Sequence, residues 1–101
     1  MTRLKGFQKR YLRGLGHDLN PVILIGKAGL SPSVINAIDA ALGDHELIKL
    51  RFLELREAKK EVSGEIEDAV QAEMVGMVGH TALFFRQKTD IADRRVHVPE
   101  R

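Results

Sequence analysis

Between Pro21 and Val34 the chain reads PVILIGKAGLSPSV, and few folds accommodate that order of side chains. Val22 to Ile25 is a short apolar run of the kind a buried strand requires. It breaks at Gly26-Lys27-Ala28-Gly29, and Leu30, Ser31, Pro32 and Ser33 then open a helix, with Ser31 as the N-cap and Pro32 at the first helical position. A strand therefore feeds a Gly-x-x-Gly turn, and the turn feeds a helix N-terminus. Free amides of the first helical turn and the positive end of the helix dipole would point the same way, a geometry that suits a phosphate. Two glycines let the backbone bend and approach a ligand closely.

The rest of the chain reads as a platform for this turn. Leu4, Phe7, Tyr11, Leu12 and Leu15 recur at three- and four-residue steps, which predicts a helix from Leu4 to Leu15 with one apolar stripe. The helix after Pro32 runs to about Leu42, with Gly43 closing it. Glu46 to Leu55 alternates as a strand, Ile48, Leu50 and Phe52 on one face and Lys49 and Arg51 on the other. Arg56 to Met74 reads as a longer helix with Val62, Ile66, Val70 and Met74 inward and carboxylates outward. Val75–Val78 and Thr81–Arg86 read as a hairpin turning at Gly79-His80, with glycine first as a type II′ turn prefers. The order is αβαβαββ: an α/β fold of the two-layer α+β type, a four-stranded mixed sheet with packed helices. Residues 1–86 form one domain. Residues 87–101 form a polar tail that either adds a short edge strand or stays loose.

Charge is where composition matters. The formal net charge is only +2, yet residues 1–30 hold Arg3, Lys5, Lys9, Arg10, Arg13 and Lys27 against Asp18 alone. Residues 57–74 hold six carboxylates against Lys59 and Lys60. Such asymmetry predicts an anionic partner approached from one side, with the acidic helix facing away from it. Lys5, Lys9 and Arg13 repeat every four residues along the first helix, flanked by Arg10. With Lys27 in the turn and Lys49 and Arg51 on the following strand, they form a set able to track a phosphate backbone.

Other chemistries lack their residues. The chain has no cysteine, no HExxH and no GxxxxGK[ST], and GKAG is too short for a nucleotide P-loop. The histidines at 17, 45, 80 and 97 lie singly on turns and tail, without ligand spacing. No nucleophile or base stands near the turn, so a binding protein without metal, cofactor or small-molecule substrate is expected. No apolar run approaches the ~20 residues of a membrane span, and the N-terminus lacks the apolar core of a secretory signal; a cytoplasmic monomer is expected. A second Gly-x-x-Gly, Gly76 to Gly79, has no helix after it and reads as structural. With only five aromatic side chains, a base-stacking sheet of the RRM type is not expected. The opposing reading is a protein-interaction module whose basic helix docks an acidic partner while the GxxG is only a turn.

PVILIGKAGLSPSVINAIDAALGDHELIKL, followed at a distance by VGHTALFFR, resembles the CRM domain (chloroplast RNA splicing and ribosome maturation), and within it the short single-domain YhbY-type bacterial members. The resemblance runs from KRYLRGLGHDLNP to about Arg86. It implies a fold like the C-terminal domain of translation initiation factor three, RNA binding, and association with the precursor of the large ribosomal subunit, where such proteins assist assembly. It implies an RNA-binding loop at Gly26, Lys27, Ala28 and Gly29, and a basic first helix at Lys9, Arg10 and Arg13. Three positions depart from the family pattern: Gly16 for alanine, which would loosen the end of the first helix; His80 for a basic residue, which would weaken a phosphate contact or make it pH-dependent; and Phe85 for tyrosine.

Overall fold

The computed structural model describes residues 3–100. Its elements are α1 (Gly6–Gly16), β1 (Ile23–Ile25), α2 (Pro32–His45), β2 (Leu47–Phe52), a 3-10 turn (Arg56–Ala58), α3 (Lys59–Val70), β3 (Glu73–Val78), β4 (Thr81–Phe85) and a second 3-10 turn (Ile91–Asp93). The sheet order is β1-β2-β4-β3. β1 lies parallel to β2 through the α2 crossover, and the other two pairings are antiparallel, giving the mixed four-stranded αβαβαββ sheet.

Alternation along the central strands produces two cores. Ile48, Leu50 and Phe52 of β2, with Ile25, Ala82 and Phe84, pack under Ile38 and Leu42 of α2 and Ile66 and Val70 of α3. The opposite parity, Leu47 with Leu83, Phe85 and Val75, packs under Leu12 of α1. The helices therefore divide between the two faces, α2 and α3 on one and the short α1 over part of the other.

Several boundaries fall elsewhere than the sequence predicts. α2 passes through Gly43 and stops only at Glu46, whose amide still makes the helical bond to Leu42 O and whose positive φ of 64° then turns the chain out of the helix. β2 ends at Phe52 because the Leu53 and Glu54 amides both turn onto Ile25 O. α3 ends at Val70. Gln71 is left-handed, and the Glu67 carboxylate accepts the Met74 amide (2.8 Å), so Met74 starts down β3 opposite Phe84. Val70 and Met74 are one helical turn apart in sequence, and a period of four could not separate them. Of the α1 stripe only Leu12 is fully buried; Phe7, Tyr11 and Leu15 remain exposed. Gly16 is the last residue of α1. It lets the helix approach the sheet, since a Cβ there would lie 2.5 Å from a Leu83 methyl. The hairpin forms at Gly79-His80 with Gly79 at φ 58°, and Gly76 sits within β3, so the second Gly-x-x-Gly is structural.

No strand forms among residues 87–100. This segment instead wraps back over the second core. The fully buried Glu46 carboxylate accepts the amides of Lys88 (2.8 Å), Arg95 and Val96 (2.9 Å), and Val96 and Val98 pack beside Leu12. Arg86 ties the helical layer together: its guanidinium donates to the Asp39 carboxylate (2.6 Å), Asp39 O and Val70 O.

Candidate nucleic-acid interface

The turn after β1 is closed by a hydrogen bond from Gly29 N to Gly26 O (3.0 Å), placing Lys27 and Ala28 at its exposed corners. Gly29 has φ 64°, where L side chains are disfavoured, and a Cβ there would come within 3.3 Å of Leu55 Cδ1. Gly29→Ala should therefore destabilise by about 1–2 kcal/mol, seen as a lowered midpoint in thermal unfolding; an unchanged midpoint would show that the turn tolerates another conformation.

The anion-facing amides are not those the sequence predicts. Ser31 Oγ accepts the Val34 amide (3.3 Å), Pro32 has none, and Gly29 is engaged in the turn, so the first turn of α2 is largely satisfied from within. The amides of Gly26, Lys27 and Ala28 have no acceptor among the described residues. What the turn offers an anion is these donors, the Lys27 ammonium and the α2 dipole behind them.

Two neighbouring segments meet the turn at the same end of the sheet. The β2–α3 connection is held there by the Leu53 and Glu54 amides on Ile25 O. The β3–β4 hairpin is held by Phe52 N donating to His80 O (2.7 Å) and by the Lys59 ammonium on Gly79 O. Arg51 is exposed, pairs in register with Leu24 and Thr81, and has no hydrogen bond or ion pair among the described residues. Lys27, Arg51, Arg56 and Lys59 thus gather at this end, against Glu54 and Glu57 in the same connection. His80 registers the gathering. Its pKa is held below the usual histidine range, first by partial loss of hydration and then by Lys59, Arg56 and Arg51.

Arg56 and Lys59 were not legible as site residues from the sequence. One signal could have found them: Lys59 and Lys60 open α3, where the helix dipole disfavours cations, and Arg56 stands just before them in the 3-10 turn, so this run of cations asks for another reason. The acidic residues of the same helix lie on the far side of the sheet from α1 and run toward its other end, where Glu67 meets Met74.

The predicted cations are not all brought together. Lys9 lies 3.2 Å from the buried Glu73 carboxylate, at the end of the sheet away from the turn. Lys5 stands at the α1 N-cap near that end, and Arg10 is exposed on the outer side of α1. Arg13 crosses Gly76 and donates to Val75 O (3.0 Å), capping a carbonyl of the edge strand. The Lys49 ammonium meets His17 O (3.2 Å) midway along the sheet. Of the four-residue repeat Lys5, Lys9 and Arg13, the last two reach β3 through Glu73 and Val75 O, while Lys5 stays exposed. Among the described residues there is no grouping of three His, Asp or Glu able to hold a metal ion, and no helix long and apolar enough to cross a membrane.

Fold and site together define a class: a small α/β module that presents a Gly-x-x-Gly turn, backed by a serine-capped helix, at the end of a mixed sheet. The sequence profile of the CRS1 / YhbY (CRM) domain matches residues 4–86. The chain belongs to the CRS1/YhbY (CRM) domain family. It is 39% identical over 87 residues to a protein of Haemophilus influenzae named as an RNA-binding protein, covering 85% of this chain and 88% of that one. It is 30% identical over 97 residues to the probable RNA-binding protein YqeI of Bacillus subtilis, covering 95% of this chain and 99% of the relative. The solution structure of SAV1595 from Staphylococcus aureus superposes with a TM-score of 0.81 at 34% identity, covering 96% of this chain and all of that one.

Proposed function

We propose that this protein binds RNA, and that its RNA is ribosomal RNA within the precursor of the large ribosomal subunit, whose assembly it assists as a cytoplasmic monomer. The observation that carries the reading is the meeting of the Gly26–Gly29 turn with Arg51, Arg56 and Lys59 at one end of the sheet. Free amides with cations beside them on a rigid frame hold phosphate without any chemical step. The names of the relatives support RNA as the ligand; the resemblance to YhbY-type proteins supports the ribosomal precursor. In this reading Gly26, Lys27, Ala28 and Gly29 grip the backbone, Arg51, Arg56 and Lys59 add charge, and Arg13 and Lys49 extend the track along the sheet. Lys9 belongs to the fold, through Glu73.

Two measurements test it. In a sedimented lysate the protein should travel with large-subunit precursors; migration only with free protein would remove the ribosomal part of the reading. Replacing Lys27 and Ala28 together with aspartate puts two negative charges on exposed turn corners that tolerate Asp. Affinity for structured ribosomal RNA should fall more than tenfold with the folded structure intact, as like charge meets phosphate. Unaltered affinity would remove the turn from the mechanism.

A further inference from the structure

α1 covers only part of its face of the sheet. It ends with Gly16 against Leu83 and turns away at His17, whose carbonyl meets Lys49. The next cross-strand row on that face, Leu24 of β1, Arg51 of β2, Thr81 of β4 and Val78 of β3, has no helix over it among the described residues. The two aliphatic side chains are 56% and 75% exposed. A row across four strands spans about 14 Å. Beside it, at the end of α1, is a cavity of about 230 Å³ lined by Arg13, His17, Lys49, Val78, Thr81 and Leu83. That is smaller than pockets for drug-sized ligands and suits a single flat ring.

Resting on the RNA reading above, we propose that this strip receives unpaired nucleotides, their bases lying across Leu24, Arg51 and Val78, with one base seated in the cavity between Arg13 and Lys49. Charge chooses the occupant. The row is bordered by cations, Lys27 and Arg56 at one end and Arg13 and Lys49 at the other, so an anionic ligand is favoured over an apolar protein surface. The apolar residues choose the form of RNA. A duplex presents phosphates and 2′-hydroxyls, and pressing these on Leu24 and Val78 would strip their hydration for no return; an unpaired base presents an apolar face. The Arg51 guanidinium is planar and stacks on such a face while its charge still offsets an adjoining phosphate, and the Thr81 hydroxyl can meet a base edge. None of the four is aromatic, so bases pack on aliphatic groups and one guanidinium rather than on aromatic rings.

The test uses the full chain with one RNA sequence in two forms, a twelve-nucleotide single strand and the same strand annealed to its complement, followed by fluorescence anisotropy over a salt series. The single strand should bind more tightly than the duplex. Leu24→Thr with Val78→Thr keeps strand-forming, uncharged side chains and should weaken single-strand binding about tenfold without changing the salt slope, since every phosphate-facing cation is kept. In the parent, the Leu24 and Val78 methyl protons should show intermolecular nuclear Overhauser effects to base protons. Equal or tighter duplex binding, or an unchanged affinity in the double variant, overturns this inference while leaving RNA binding in place. If neither form binds even at low salt, the RNA reading falls and this one with it.

Discussion

Replacing Glu46 with alanine is expected to lower the unfolding free energy by about 2–4 kcal/mol and to release the segment from Lys88 to Val96. The residue is fully buried, and its two carboxylate oxygens accept three backbone amides from that segment. Each hydrogen bond to a charged group contributes about 1.5–3 kcal/mol. Detachment lets the amides rehydrate, so the total falls short of three times that figure, but it also strips Val96 and Val98 from the second core. Glu46→Gln should lie between parent and alanine variant, because an amide can keep the acceptor facing Arg95 and Val96 but turns a donor toward Lys88 N. Urea unfolding gives the magnitude, and hydrogen exchange at Lys88, Arg95 and Val96 shows where protection is lost. Burial alone would raise the Glu46 pKa; the three amides and the Lys88 ammonium outweigh it, and the carboxyl titrates below its usual range. A depressed folded pKa means the contribution is present above the unfolded value, about 4.3, and is lost as pH falls through the folded one. The parent should therefore lose stability on acidification below about pH 4.3 more steeply than Glu46→Gln. Parallel acid limbs would show that the carboxylate is not the clamp.

The second large effect concerns salt. Lys27→Ala, Arg51→Ala and Arg56→Ala combined should weaken RNA binding by about 10² to 10³ at low salt. They should also flatten the plot of log affinity against log salt by about 2, at roughly 0.7 for each phosphate left unneutralised on a single strand. These three side chains are exposed and lie at the end of the sheet that holds the turn. Lys9→Ala is the opposite case. It removes the partner of a buried carboxylate, so it should cost about 1–3 kcal/mol of stability while leaving the salt slope within error of the parent. Lys9 and Lys27 were equivalent members of one basic set in the sequence; a slope that falls as much for Lys9→Ala as for the triple variant would restore that equivalence and refute the division drawn from the structure.

Certain segments declare themselves through neighbours in sequence. The apolar run Val22–Ile25, the glycine that takes a left-handed φ at position 29, the Ser31 cap and Pro32 at the helix start are each dictated within a few residues, and β1, the turn and α2 form there; but β1 is not the buried strand the run predicts, since it lies at the sheet edge with Ile25 buried and Val22 and Leu24 exposed. The Gly79-His80 hairpin is equally local. Alternation in β2 showed that two faces exist, and both do meet cores. Where local signals fail is where two assignments share a period. Met74 fits the spacing of a helix and the register of a strand, and what decided was Glu67 capping its amide. Phe7, Tyr11 and Leu15 sit on one side of α1, but the helix meets the sheet along a narrow line and is covered only at Leu12 and Gly16.

The sequence alone determined the order of elements, the position and conformation of the Gly-x-x-Gly turn, and an excess of cations near it, because propensity, capping and charge are properties of short stretches of chain. Only the tertiary structure decided which cations stand beside the turn. Lys9 finds Glu73, Arg13 finds Val75 O and Lys49 finds His17 O away from the turn, whereas Arg56 of the 3-10 turn finds Phe52 O and Lys59 of α3 finds Gly79 O at the end of the sheet where the turn lies. Charge is counted along the chain, but its partners are chosen across it, and pairings between strands and helices distant in sequence carry no trace in any local pattern.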